Sequence, residues 1–269
     1  MNFMKSLGII AGNGNYPLLL AQEARKQGVD RIVVAAFESE TKPALEGLVE
    51  DLAWMRVGQL GKMISYFEKM GISEVMMAGQ IAPSNLFQLR PDLKALVLLA
   101  KLKERNAESI FGAIADELQK KGIQLLPATT YLEDFLAVTG HFAGPLLKRS
   151  QQSDLEYGFR IAKEMSRLDI GQTVVVKKGT VLAVEAFEGT DEAIRRGGAL
   201  GKSGAVMMKV SKPNQDFRFD VPVIGVRTIE VARESGISVI GYEAKKTLLL
   251  EKNLLHELAQ QYKITMVAL

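Results

Sequence analysis

Basic and acidic side chains alternate with aromatics over Lys209-Val-Ser-Lys212-Pro-Asn-Gln215-Asp216-Phe-Arg218-Phe-Asp220-Val-Pro222, between two apolar runs. Lys212 and Arg218 suit phosphate oxygens, the arginine through a two-pronged fork, and Asp220 suits cation binding or the activation of water. A solvated charge run would have the same spacing, so both readings stay open here. A second group flanks two strand-like runs: Asp169-Ile-Gly-Gln172 precedes the first, and Glu185-Ala-Phe-Glu188-Gly-Thr190-Asp191 follows the second. Cleaving a pyrophosphate needs a cation or basic groups to offset phosphate charge, plus a carboxylate to position or deprotonate water. Asp and Glu oxygens are also the ligands Mg²⁺ and Mn²⁺ prefer. Thr190 or Asp191 reads equally well as a helix N-cap, and Asp169 as a turn residue. Strand alternation sets Glu185 on the face of Ala183 and Val181, where an unpaired carboxylate is costly if buried.

Three glycine turns follow strand-like runs in the first half: Gly12-Asn-Gly14-Asn-Tyr-Pro17, Gly58-Gln-Leu-Gly61-Lys62 and Gly79-Gln80-Ile-Ala-Pro83. Glycines between a strand and a helix let backbone N–H groups approach a phosphate, and the carboxyl ends of strands are where open α/β sheets bind ligands. A simple strand-to-helix turn fits the first as well, and a solvated lysine fits Lys62. A dinucleotide fingerprint would place a third glycine where Pro17 stands, although Glu38 falls where a ribose-binding acid is expected. A nicotinamide-dependent oxidoreductase is therefore an alternative with an imperfect motif. The two histidines, His141 and His256, have no metal-ligand spacing, and no Gly-x-Ser-x-Gly nucleophile elbow occurs. With no cysteine there is no thiolate chemistry, and the methionines lie mostly in apolar segments as core filler.

The elements that must carry these residues follow from the pattern. Strands are expected at Leu7–Ala11, Arg31–Phe37, Leu52–Val57, Glu74–Ala78 and Ile123–Leu126, with helices near 17–27, 60–70 and 106–121. That alternation predicts a parallel, doubly wound sheet. The pattern lapses at 133–153, which reads as a linker. Beyond it come a helix at 154–168, a hairpin of Thr173–Val176 and Val181–Ala186 turning at Lys178-Gly179, and a helix at 190–200. A strand at Ala205–Val210 precedes the polar loop, and a last α/β alternation runs to Leu269. The fold class is thus α/β in two domains. A Rossmann-like, nucleotide-side parallel-sheet domain spans 1–132, and a mixed-sheet catalytic domain spans 154–269.

At 269 residues the chain can bury a sizeable core, and its 47% apolar and 24% charged residues are ordinary globular proportions. A net charge of +3 from 34 basic and 31 acidic residues, dispersed along the chain, gives no footprint for nucleic acid. The start lacks a signal-peptide pattern, so a cytoplasmic location is expected. The apolar run Ala95–Ala100 is far shorter than the ~20 residues that span a bilayer, so any contact with the inner membrane would be peripheral.

Taken together and in order, Leu168–Gln172, Val181–Asp191 and Lys212–Gly225 closely resemble the I-type UDP-2,3-diacylglucosamine pyrophosphatases of lipid A biosynthesis. Gly8–Pro17, Gly58, Gly61, Lys62 and the Ala78-Gly79 turn are similar to that family's N-terminal pattern, so the likeness covers nearly the whole chain. It implies a two-domain cytoplasmic enzyme that hydrolyses UDP-2,3-diacylglucosamine to 2,3-diacylglucosamine 1-phosphate and UMP with Mg²⁺ or Mn²⁺. The family's essential aspartate falls on Asp220, with Lys212 and Arg218 as its basic partners. Asp220, Glu188 and Asp191 are the expected metal ligands. Gly12, Gly14, Gly58, Lys62, Gly79, Gln80, Gln172, Thr190 and Gln215 are the expected substrate contacts. Asn13, Asn15 and Asn106-Ala-Glu108, the last where an acidic Gly-Asp-Asp stretch is expected, depart from the pattern. A non-catalytic sugar-nucleotide binding protein, which would keep the glycine turns without needing Asp220, is the reading from a different class, and homo-oligomerisation stays open.

Overall fold

The computed structural model describes residues 5–81, 91–103 and 107–269. The chain divides into two compact units, one of Met1–Leu132 with Asp216–Asp220, the other of Glu133–Gln215 with Val221–Leu269. In the first, β1 (Ser6–Ala11), β2 (Arg31–Phe37), β3 (Asp51–Met55), β4 (Glu74–Ala78) and β5 (Gln124–Leu125) form an all-parallel sheet in the order β3-β2-β1-β4-β5. Strands buried on both faces must be apolar nearly throughout, as Arg31-Ile-Val-Val-Ala-Ala-Phe37 is. Helix α1 (Tyr16–Lys26) has Pro17 in its first turn, where a missing N–H costs nothing. Helices α2 (Leu60–Lys69), α3 (Leu93–Lys101) and α4 (Ala107–Gln119) bury Met63, Phe67, Leu98 and Leu118 against Val33, Ala35 and Val75. Strand order reverses between β1 and β4, the switch point outside which α/β sheets bind ligands.

Asp216–Asp220 folds into this unit despite its late place in sequence. Phe219 packs on the same core with its ring 5.6 Å from that of Phe111, and the Phe217 carbonyl accepts from the Ala128 N–H at 2.7 Å.

The second unit holds β6 (Gly140–Ala143), β7 (Thr173–Lys177), β8 (Thr180–Val184), β9 (Ala205–Lys209), β11 (Ile237–Tyr242) and β13 (Thr265–Ala268) in one sheet, ordered β6-β13-β11-β9-β7-β8. β9, β11 and β13 are parallel; β6, β7 and β8 pair antiparallel, so the sheet is mixed. A two-stranded parallel pair, β10 (Val223–Ile224) and β12 (Leu248–Leu249), stands apart. Helix α5 (Arg149–Arg167) covers one face, with Leu155 and Ala162 against Val174, Val176 and Met208. Helices α6 (Thr190–Gly201), α7 (Val226–Glu234) and α8 (Lys252–Tyr262) cover the other through Ile194, Ile229 and Leu255, packed with Val175, Met207 and Ile240.

The parallel and mixed sheets agree with the expected fold class. The hairpin also turns at Lys178-Gly179, both at positive φ (50° and 73°), the pairing a two-residue turn of this hand requires. Other details differ. The stretch 133–153, expected as a linker, contains a short 3₁₀ turn (Glu133–Phe135), strand β6 on the sheet edge and the start of α5. Helix α5 starts earlier than expected because the Gln151 side chain accepts from the Lys148 N–H at 2.9 Å and closes its first turn. The run Ala95–Ala100 lies within a helix capped by Asp92, whose side chain accepts from the Ala95 N–H at 2.9 Å. Val181 does not share the face of Ala183 and Glu185. A bulge in the β7–β8 register turns Val181 toward α5, while Ala183 stays on the α6 side.

Candidate active site

The first and third glycine turns meet one another. The Gly12 N–H donates to the Ala78 carbonyl at 2.8 Å, and Asn13 and Gln80 exchange backbone hydrogen bonds of 2.7 and 3.3 Å. A Cβ on Gly12 would lie 2.5 Å from the Gln80 carbonyl oxygen, and one on Gly79, at φ +91°, 2.5 Å from that of Asn13. Close backbone approach therefore accounts for both glycines, and the Gly12 and Asn13 amides are spent within the unit. Gly14, at φ +95°, has open space where a side chain would stand, and Gln80 is exposed. Behind the turn, Asn13 donates to the buried Glu40 at 3.4 Å and Lys42 donates to the Asn15 side chain. Ala82-Pro83, the end of the third turn, and Asn106 lie outside the described residues.

The turn at Gly58 leads into α2, whose N-terminus already holds an anion. Asp92 accepts from the Gly61 N–H at 2.7 Å as well as capping α3. Lys62 is exposed and its ammonium donates to the Trp54 carbonyl at 3.2 Å. Glu38, the acid in the nicotinamide alternative, is an exposed partner of Arg56 at 3.7 Å.

Within Asp216–Asp220, the Asp216 carboxylate grips Arg218 through Nε (3.0 Å) and Nη2 (2.6 Å) and also accepts from the Arg218 N–H at 3.0 Å. The guanidinium hydrogen bond holds the Asp216 carboxyl below its ordinary range. The Asp220 N–H closes the turn on the Asp216 carbonyl at 3.0 Å, so one short loop fixes both the arginine and the aspartate expected to do chemistry.

The remaining expected residues form a network in the second unit. Asp169 follows α5 at φ 56°, the left-handed position of a helix stop, and its carboxylate pairs with Lys212. Gly171 lies where any Cβ would collide with the Glu185 carbonyl, which brings the next residue, Gln172, beside Glu185. The Gln172 N–H approaches a Glu185 oxygen at 3.4 Å and its side-chain amide donates to Gln215 at 3.4 Å. The Gln215 side chain accepts in turn from the Lys212 N–H at 2.6 Å. Thr190 donates to the other Glu185 oxygen at 2.9 Å and accepts from Lys209 at 2.9 Å. The N-cap of α6 is Gly189 at φ +86°, so Thr190 is the first helical residue and its hydroxyl serves the network instead.

Glu188 and Asp191 are engaged elsewhere. Arg196 pairs with Glu188, whose carboxyl is held below its ordinary value by a backbone hydrogen bond and by that arginine, and Arg227 pairs with Asp191. Among the described residues no three Asp, Glu or His side chains converge as a cation cage.

One group carries no signal in the sequence. Glu243, buried just after β11, accepts from the Ser211 N–H (2.9 Å) and hydroxyl (2.8 Å), from Lys163 (3.0 Å) and from Lys246 (2.9 Å). Burial pushes its carboxyl up, but hydrogen bonds from Lys246, Ser211 and Lys163 outweigh this and hold it at about 2. Because Lys163 also donates to the Ser211 carbonyl at 2.7 Å, these residues clamp the backbone next to Lys212.

The chain matches two known domain families: the LpxI N-terminal domain over residues 6–135 and the LpxI C-terminal domain over residues 139–267. It is 30% identical over 260 residues to the UDP-2,3-diacylglucosamine pyrophosphatase LpxI of Caulobacter vibrioides, covering 93% of this chain and 92% of that protein. Among solved structures, the biotin carboxylase domain of Hydrogenobacter thermophilus 2-oxoglutarate carboxylase is 11% identical, with 75% of this chain and 42% of that one covered at a TM-score of 0.30. N5-carboxyaminoimidazole ribonucleotide synthetase from Thermotoga maritima is 14% identical, with 68% and 41% covered at a TM-score of 0.26.

Proposed function

Since the chain belongs to the LpxI family, we propose that it hydrolyses UDP-2,3-diacylglucosamine to 2,3-diacylglucosamine 1-phosphate and UMP in lipid A biosynthesis. The observation that carries this is likeness along nearly all of both chains to a relative named for that activity. In the reaction the oxygen of water bonds to one phosphorus, the P–O–P bridge breaks, and the two phosphates leave on the uridine and the sugar lipid. The nicotinamide alternative has no support in the first unit, where Pro17 replaces the third glycine and the Gly12 and Asn13 amides are already paired.

Lys212 and Arg218 are the phosphate-facing cations in this reading. Asp169 and Asp216 hold them in place before substrate arrives, so little reorganisation is needed when charge develops. Asp220 positions or deprotonates the attacking water. Gln172, Gln215 and Thr190 are the polar contacts on the second unit. Gly14 and Gln80, open at the switch point, are the strongest nucleotide-side candidates beside Gly12, Gly58, Lys62 and Gly79. A divalent cation, Mg²⁺ or Mn²⁺, fits as a partner brought in with the pyrophosphate, since Mg²⁺ commonly binds through one or two carboxylates and substrate phosphates. Asp220 is the carboxylate we assign to it, because the family's essential aspartate falls there; Glu188 and Asp191, the other expected ligands, each pair with an arginine. When bound, the cation offsets pyrophosphate charge.

No helix of the described residues is long and apolar enough to cross a membrane. The exposed Leu93, Leu96 and Val97 of α3 support peripheral contact with the inner membrane, where the lipid substrate resides.

The test is UMP release from UDP-2,3-diacylglucosamine with Mg²⁺ or Mn²⁺, for wild type, chelator-treated protein and Asp220→Ala. Wild type should turn over, chelation should stop it, and Asp220→Ala should lower kcat by about 100-fold or more with circular dichroism unchanged. Binding without turnover by the wild type would mean a sugar-nucleotide binding protein and would remove the hydrolase assignment.

A further inference from the structure

Lys209 ends β9 on the sheet face that packs against α6, in the alternating row of Ala205 and Met207. It is 8% exposed, and among the described residues the only hydrogen bond of its ammonium runs to the Thr190 hydroxyl, which is itself committed as a donor to Glu185. No carboxylate among the described residues pairs with it. Other lysines of the unit differ: Lys163 meets both oxygens of Glu243 and a carbonyl, and Lys177 meets two carbonyls. Burying an ammonium against one neutral partner is costly unless something else offsets the charge.

A second unspent group stands beside it. Thr173 is the register partner of Lys209 across β7 and β9, so the two side chains share a face, and Thr173 is fully buried with no hydrogen-bond partner for its hydroxyl among the described residues. The pair lies where Lys209 reaches the first residue of α6, a twelve-residue helix whose N-terminus adds positive potential. A spare ammonium, a spare hydroxyl and a helix N-terminus together match an anionic oxygen acceptor. Lys212, three residues further along the chain, is already assigned to phosphate.

We propose that Lys209 and Thr173 form a second phosphate contact, donating to a phosphoryl oxygen of the substrate's pyrophosphate, with Thr190 and Glu185 orienting the ammonium. This rests on the hydrolase reading for the identity of the anion. UDP, which carries the pyrophosphate without the lipid, probes the contact independently of turnover.

The experiment measures UDP binding by calorimetry, UMP release from the lipid substrate, and thermal melting for wild type, Lys209→Met and Thr173→Val. Lys209→Met should weaken UDP binding about ten- to hundredfold and Thr173→Val a few-fold, as expected for lost charge-assisted and neutral hydrogen bonds. Neither variant should melt below wild type without ligand, because each replaces an under-satisfied polar group by an apolar one of similar size. Lower melting with unchanged UDP affinity in Lys209→Met would make the lysine structural and overturn the proposal. Unchanged affinity in Thr173→Val would remove the hydroxyl from the contact, and a wild type that does not bind UDP would overturn the contact as a whole. A wild type that binds UDP through Lys209 yet releases no UMP would leave the contact standing and sink the hydrolase reading.

Discussion

Arg218 shows what a short loop does at the level of one side chain. Its Nε and Nη2 are both held by Asp216, two residues back, so the plane of the guanidinium is set before any ligand binds. A lysine could keep the charge at this position but not the fork. Arg218→Lys should therefore lower kcat/KM by about tenfold in the UMP-release assay. The pair is substantially exposed, with side chains at 43% and 26%, so the same change should cost under ~1 kcal/mol in urea denaturation. Separate movement of the two readouts is the mark of an orienting pair; a variant that kept full kcat/KM would show that the fork does not orient a phosphate ligand. The chemical types at Lys212, Arg218 and Asp220 were legible in the sequence, but their holders were legible only in part. Asp216 sits within the same motif, whereas Glu243 and Lys163 come from elements distant in sequence and meet Ser211 only once the sheet and α5 have packed.

Between elements, the clearest tie in the second unit is Asp154 on α5. Its buried carboxylate accepts from the N–H groups of Lys178 and Gly179 at 2.8 and 2.7 Å, joining the helix to the β7–β8 hairpin. Asp154→Ala leaves two turn amides without their acceptor and should cost roughly 2–3 kcal/mol by chemical denaturation, with turnover retained where the variant stays folded. Loss of less than half a kcal/mol would mean that solvent replaces the carboxylate. The hairpin itself was readable because Lys178-Gly179 separates two β-branched runs. Helix α3 was not, since Leu93-Lys-Ala-Leu-Val-Leu-Leu-Ala is too uniformly apolar to show a helical period. Nor was β6, whose Gly140-His-Phe-Ala143 has little strand character and is held by pairing with β13, more than a hundred residues away. The bulge that separates Val181 from Ala183 has no local glycine to announce it, so simple alternation placed Glu185 correctly and Val181 wrongly.

Across the whole molecule, each unit contains a carboxylate drawn down to about 2 from an ordinary 4.5, Glu117 in the first and Glu243 in the second. Hydrogen bonds from Lys120 and Lys94 lower Glu117. At Glu243, burial opposes ionisation and is outweighed by Lys246, Ser211 and Lys163. A carboxyl whose pKa is lower in the folded state binds fewer protons there than in the unfolded chain. Its stabilisation is full above about 4.5 and is lost as pH falls through about 2. Both units should therefore weaken in the same acid window, but not equally. The Glu117 ion pairs face solvent, where such pairs contribute little, while Glu243 is buried and also ties down the backbone next to Lys212. Thermal melts of wild type, Glu117→Gln and Glu243→Gln from pH 7 to pH 2 should show Glu243→Gln well below wild type at neutral pH. That gap should shrink as pH drops below about 4.5, and Glu117→Gln should track wild type closely throughout. A constant gap for Glu243→Gln would mean that its hydrogen-bonded shape, rather than its ionisation, supports the second unit, and the acid sensitivity would then have to arise elsewhere.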